Sequence, residues 1–248
     1  KRTLDSIDME PSLKQDILTE LQDFFDPESE EWSYENGVPN RKGYLLYGPP
    51  GTGKSSFCVA IASEFNLPIY WLHLAGMDDA KLHEEFQKLP QKCVVLIEEI
   101  DTAGIARHKG KKEKGKQNEP AVSNISLGAL LNEIDGPGAK EGRLLIFTTN
   151  SPKSLDPALI RPGRIDRRIY LGRSTKLVAS ITFCRIFGTD PRLKGRVQRQ
   201  EIDRMAKQFG ELIPNKLFTP CEVQQFCMSH RGNPERAIKQ MPQWIKEK

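Results

Sequence analysis

Apolar residues along this chain gather into five short runs, near residues 43–47, 68–74, 93–98, 144–149 and 168–171. Elsewhere they recur every three or four positions. The runs are short and mostly uncharged, so each is expected to be a strand buried in a sheet. Between them lie helical patterns. Leu127, Leu130, Leu131 and Ile134 follow the i, i+3, i+4, i+7 rule, with Gly136 just past the end. Leu13, Ile17, Leu21 and Phe24 form a similar stripe ahead of the first strand. Strands joined by helical crossovers predict an α/β fold: a five-stranded, mostly parallel sheet flanked by helices.

Beyond Gly172 the strands stop. "GRST" reads as a hinge, and only helical patterns follow. Ile202, Met205, Ala206 and Phe209 keep helical spacing, with Gly210 expected to close the run. Thr219, Pro220 and Glu222 form a capping-box signature with proline at the first helical position, and Asn233-Pro234 opens a further helix in the same way. The expected organisation is an α/β core over 1–172 and a small all-helical lid over 173–248.

Composition narrows the class. With 248 residues and 38% apolar content the chain can bury a full core. Its longest uninterrupted aliphatic stretch, Val94–Ile97, falls far short of the roughly 20 residues that cross a bilayer. The chain begins at Lys1, with Leu4, Ile7 and Met9 already patterned as packed positions, so it reads as a piece of something longer. Membrane contact is expected only through upstream segments. Five scattered cysteines among apolar neighbours read as reduced core thiols, and "HEEFQ" at His83 lacks the second histidine of a zinc helix.

Candidate chemistry starts at "LLYGPPGTGKSS", residues 45–56. Gly48, Pro49, Pro50, Gly51, Thr52, Gly53, Lys54 and Ser55 match GxxxxGK[ST] between a strand and a helix, with Ser56 following. The glycines let backbone amides turn inward around phosphate oxygens, the helix N-terminus adds its positive end, and Lys54 adds a full charge. Ser55 is expected to ligate magnesium, and the ligand is expected to be ATP. In "CVVLIEEID" an apolar strand delivers Glu98 and Glu99 at its carboxyl edge, where open α/β sheets bind ligands. Alternation along a strand predicts opposite faces for the two. Glu98 is read as the metal carboxylate and Glu99 as the group that polarises the attacking water. Asn150, ending "TTN" after another apolar strand, would sit beside them. Arg161 and Arg164 flank a Pro-Gly bend, and a guanidinium supplied across a subunit boundary raises phosphoryl-transfer rates by about 10³ to 10⁵.

Taken in order, these stretches resemble the AAA ATPases: Walker A at 48–55, Walker B at 94–99, sensor 1 at Asn150 and an arginine-finger segment at 156–166. "NGVPNRKGYLLYGPPGTGKSS", "LGALLNEIDG", "NSPKSLDPALIRPGRID" and "FTPCEVQQF" are similar to the Bcs-type branch. Its members are chaperones of the mitochondrial inner membrane that assemble respiratory complex III by translocating the folded Rieske iron-sulfur protein. The resemblance implies a homo-oligomeric ring, a heptamer in this branch, with Arg161 and Arg164 acting on a neighbour's ATP. It also implies a protein client, the Rieske protein in that branch, and residence at the mitochondrial inner membrane. Two departures stand out. Glu98-Glu99 replaces the Asp-Glu of most AAA proteins and the Glu-Asp common in this branch. Leu74-Ala75-Gly76 lacks the aromatic residue of peptide-threading machines, which fits a branch that moves a folded client. Arg236 is read as a solvated helix arginine.

The stretch 106–119 carries six Lys or Arg against two acids and reads as a solvated loop. It supplies much of the net charge of +4, so no nucleic-acid partner is expected. Two further readings stay open: a DNA-associated AAA loader, and a nucleotide-binding scaffold without turnover. A paralogue serving another client is the nearer alternative.

Overall fold

The computed structural model describes residues 2–102 and 125–248. The basic stretch 106–119 lies outside the described residues. Helices α1 (Pro11–Phe25) and α2 (Pro27–Glu35) precede strand β1 (Lys42–Tyr47). Then come α3 (Lys54–Glu64), β2 (Ile69–Leu72), α4 (Asp79–Lys88), β3 (Cys93–Ile97), α5 (Leu127–Asp135), β4 (Arg143–Thr149) and β5 (Arg167–Tyr170). Four helices follow: α6 (Lys176–Gly188), α7 (Arg199–Leu212), α8 (Pro220–Ser229) and α9 (Pro234–Lys246).

All strand pairs are parallel, in the order β2-β3-β4-β1-β5. The predicted strands all form, and the reason is visible in their burial. β3 and β4 are buried at every position, as interior strands covered on both faces must be. The edge strands β2 and β5 expose Tyr70, Trp71 and Tyr170 instead. Because the sheet is wholly parallel, the loops after β1, β3 and β4 all leave its carboxyl edge. The register Leu46↔Thr148 and Leu96↔Ile146 brings these three strands to that edge nearly level.

The chain packs as two compact units, one made of residues 18–48 and 58–170, the other of 2–17, 49–57 and 171–248. In the first, Leu45, Val95, Ile97 and Phe147 of the sheet pack with Phe86 of α4 and Leu130 of α5. In the second, the rings of Phe183 and Phe187 lie 4.4 Å apart and Phe183 and Phe209 4.9 Å, while Trp244 stacks on both Phe218 and Phe226. Asp8 and Arg185 form a two-pronged ion pair at 2.8 and 2.6 Å inside this unit, with the Asp8 carboxylate almost fully enclosed.

The capping box forms as its sequence demands: Thr219 accepts from the Glu222 N–H, and the Glu222 carboxylate accepts from the Thr219 N–H. Gly210 departs from expectation. It lies inside α7, which runs on to Leu212, and a Cβ there would meet the Lys176 carbonyl oxygen at 2.6 Å. The glycine serves the close crossing of α7 over α6 rather than a helix end. The segment read as a hinge is bonded at Ser174, whose N–H donates to the Phe218 carbonyl and whose carbonyl accepts from the Lys216 N–H. All five cysteines are free thiols, with Cys221 exposed. No described helix is long and apolar enough to cross a membrane.

Candidate functional site

Strand β1 ends at Tyr47 and runs directly into the glycine-rich loop. Gly48, Gly51 and Gly53 have φ of 145°, 76° and 91°, a region closed to most side chains. The loop folds over the Pro49 carbonyl, which accepts from the Thr52 hydroxyl at 2.9 Å and from the Lys54 ammonium at 3.0 Å. The Pro49 oxygen thus engages the cation that the sequence assigns to phosphate. The Phe57 N–H closes the first turn of α3 on the Gly53 carbonyl, so the amides of Lys54, Ser55 and Ser56 stand at the start of the helix, where N–H groups point out of the first turn. Ser55 is exposed, and the Ser56 hydroxyl accepts from the Arg2 guanidinium.

The loop is also held from outside. The Cys221 N–H, an end donor of α8 that the capping box leaves over, donates to the Gly51 carbonyl at 3.2 Å. A Cβ on Gly51 would meet the Thr219 hydroxyl at 3.3 Å and the Cys221 Cβ at 3.4 Å. Glycine is required at 51 by its φ, and the space left beside it is close to filled. Nothing local in the sequence marks Thr219 and Cys221 as neighbours of the loop.

Glu98 and Glu99 lie beyond β3, which stops at Ile97. Strand alternation therefore does not set their directions. Their placement comes from a turn in which Glu99 takes φ 47°, a left-handed conformation that costs a non-glycine residue about 1–2 kcal/mol. Thr148 of β4 holds the turn, its hydroxyl accepting from the Glu99 N–H at 3.0 Å and its carbonyl from the Ile100 N–H at 3.0 Å. Glu99 emerges exposed, and Glu98 half-buried. Burial pushes the Cys58 thiol up, and the negative charge of Glu98 adds to that. Asn150 directly follows β4 and is exposed.

The arginine segment is fastened to the other end of β1. Gly43 and Asp166 exchange backbone and side-chain bonds, the Gly43 N–H donating to the Asp166 carboxylate at 2.9 Å and the Asp166 N–H to the Gly43 carbonyl at 2.8 Å. A Cβ at Gly43 would lie 1.6 Å from the Arg164 carbonyl oxygen, so no other residue fits. Arg164 pairs with Asp135 at 2.6 Å and donates to the Ala158 carbonyl at 2.8 Å. Arg161 is exposed and has no ion-pair partner among the described residues. Gly43, Asp135 and Asp166 all stand in the stretches "RKGYLLYG", "NEIDG" and "GRID", but their role depends on contacts that no spacing reveals.

As a metal donor set, Ser55 and Glu98 offer hard oxygens, the kind magnesium takes together with substrate phosphates. Ser55 stands in the first turn of α3, and Glu98 directly follows β3. The donors present fit the ion.

A Walker-type loop leaving one interior strand, acids after a second and an asparagine after a third define the class. Residues 44–173 match the AAA family, the ATPase family associated with various cellular activities, and the chain belongs to it. Residues 179–243 match the ATPase lid domain of the mitochondrial chaperone BCS1-like proteins, so the helical region is a BCS1-type lid. Among curated relatives, the probable mitochondrial chaperone BCS1-B of Dictyostelium discoideum is 33% identical over 270 residues, covering 100% of this chain and 56% of that protein. The mitochondrial chaperone BCS1 of Homo sapiens is 34% identical over 243 residues, covering 96% of this chain and 54% of its own length. A protein of Arabidopsis thaliana called simply an AAA-ATPase is 32% identical over 256 residues, covering 96% and 49%. The chain spans about half the length of the curated relatives it matches.

Proposed function

We propose that this chain is the motor of an ATP-hydrolysing AAA chaperone that works as a ring and remodels or translocates a protein client at the mitochondrial inner membrane. The observation that carries the reading is the turn at Glu99, an exposed carboxylate in a costly backbone conformation, on the same sheet edge from which the phosphate loop departs. In this reading the amides of 48–55 and the Lys54 ammonium bind the β and γ phosphates of ATP, with Ser56 completing the first turn beneath them. Ser55 and Glu98 hold magnesium, which when bound offsets charge on the phosphates. Glu99 accepts the proton of the attacking water, and Asn150 orients that water against the γ phosphate. Arg161 and Arg164 serve a neighbouring protomer's ATP. Arg161 has the open guanidinium, and Arg164, tied to Asp135, fixes the bend that presents it.

The names of the relatives support the chaperone reading, and the lid match supports the BCS1-type branch over a DNA loader. Complex III assembly with the Rieske protein as client, and a heptameric ring, extend the same reading. The plant relative with a bare AAA-ATPase name favours keeping a paralogue with another client as the second reading. The test is ATP turnover with magnesium. Glu99→Gln should retain ATP binding and lose turnover about 10²-fold or more, the usual worth of a positioned base. Equal rates would remove the mechanism. Loss of mature Rieske protein on deletion of the full-length gene separates the two client readings.

A further inference from the structure

Away from the phosphate loop, the lid carries a second basic feature. Two loops, 190–197 and 230–233, are laced together by Asp190, whose side chain is fully enclosed. Its carboxylate accepts from the Arg192 N–H at 3.1 Å, the Arg231 guanidinium at 3.2 Å and the Gly232 N–H at 2.8 Å. The Arg192 guanidinium in turn reaches the Arg231 carbonyl at 3.4 Å, and its side chain lies across Gly232, where a Cβ would come within 3.2 Å. Gly232 has φ 84°, so the loop is shaped for this crossing. The result is a hollow of about 500 Å³ whose wall includes Arg192, Lys194, Arg196, Arg231 and Asn233, the residue that caps α9.

Most of the charge of this hollow is uncompensated, since of its four cations Arg231 alone pairs with an acid among the described residues, Asp190. Asp190 lies behind it with its oxygens committed, and Arg192, Lys194 and Arg196 are exposed, with no ion-pair partner among the described residues. Like charges held together raise the free energy of the empty site, and a bound anion lowers it. Its volume falls in the range of small-ligand pockets, about 300–1,000 Å³. Pro191 is the one apolar side chain in the wall. A peptide would look for aromatic or aliphatic anchorage and finds none. A compact oxyanion finds planar guanidinium groups able to grip it in pairs.

We propose that this basin binds a compact anion carrying two or more phosphate charges, presented either by a soluble phosphorylated molecule or by a phospholipid headgroup. The site is separate from ATP turnover and stands whether or not the chain hydrolyses ATP. Lys54→Ala removes the competing phosphate loop, and pyrophosphate titrated calorimetrically into that variant should still bind saturably. Adding Lys194→Ala and Arg196→Ala should weaken this by about tenfold or more, the scale of losing charge-assisted bonds. The thermal midpoint should not fall, since both side chains are exposed and unpaired and their loss relieves like-charge repulsion. Capture by phosphatidylcholine vesicles containing phosphatidic acid, competed off by pyrophosphate, assigns the headgroup; pyrophosphate binding without capture assigns a soluble ligand. No saturable binding in Lys54→Ala, or the same affinity with and without the two cations, overturns the proposal.

Discussion

Asp190 shows how a single residue can control a region by being satisfied. Burial pushes its carboxyl up, but the Arg192 N–H, the Arg231 guanidinium and the Gly232 N–H outweigh burial and hold it below the ordinary aspartate value. A carboxyl depressed in the folded state contributes stability that is complete above its unfolded value and disappears as pH falls through the folded one. Asp190→Asn should therefore cost about 1.5–3 kcal/mol near neutrality, the worth of bonds to a charged group. The gap to the parent should narrow once pH drops below about 4, where the unfolded aspartate titrates. Urea unfolding of both proteins at neutral and acid pH measures it, and a gap independent of pH would mean that the charge is irrelevant. At this scale the sequence was only partly readable. The loop 48–55 announces itself because glycine spacing is a local requirement. The turn at Glu99 does not, since glutamate is an unusual choice for positive φ and its holder, Thr148, sits 49 positions away.

Among the elements, Gly210 of α7 sets two magnitudes against each other. Alanine is the better helix former by about 1 kcal/mol, yet a Cβ at 210 would lie 2.6 Å from the Lys176 carbonyl oxygen and 3.0 Å from the Ser180 Cβ. A backbone carbonyl cannot step aside as a flexible side chain can, so overpacking, which costs about 1–3 kcal/mol, outweighs the gain in propensity and leaves a net cost of up to about 2 kcal/mol. Gly210→Ala should lower the denaturation midpoint; a rise would show that α6 and α7 can part without penalty. The same residue explains a misreading. A glycine that ends a helix and one that admits a neighbour look alike along the chain, and only the partner 34 positions earlier tells them apart. The strands were legible because burial on both faces leaves an unbroken apolar signature. Helix α2, "PESEEWSYE", was not, because none of its residues is buried and its local marks are confined to its start: the Asp26 cap, Pro27 and the acids Glu28 and Glu30.

For the molecule as a whole, no local pattern says that residues 2–17 and 49–57 pack in one unit with 171–248. That grouping rests on contacts far apart in sequence, such as Asp8 with Arg185 and Gly51 with Cys221. The proposed ring makes its own demand, because the exposed Arg161 and the acid at Glu99 must then come from different protomers at each site. Arg161→Ala and Glu99→Gln should each be inactive alone. Mixed before assembly, they should regain measurable turnover, since a Glu99→Gln protomer can lend its intact arginine to the sound acid of its neighbour. No recovery on mixing would place both groups in one protomer.

The bond between Cys221 and Gly51 ties the mouth of the phosphate loop to the first residues of a lid helix. In the proposed reading, a nucleotide that spreads those glycines would have to pull on that helix or let go of it, so filling and emptying the loop would be felt some 170 residues downstream. The Cys221 amide would then be the wire of a fuel gauge.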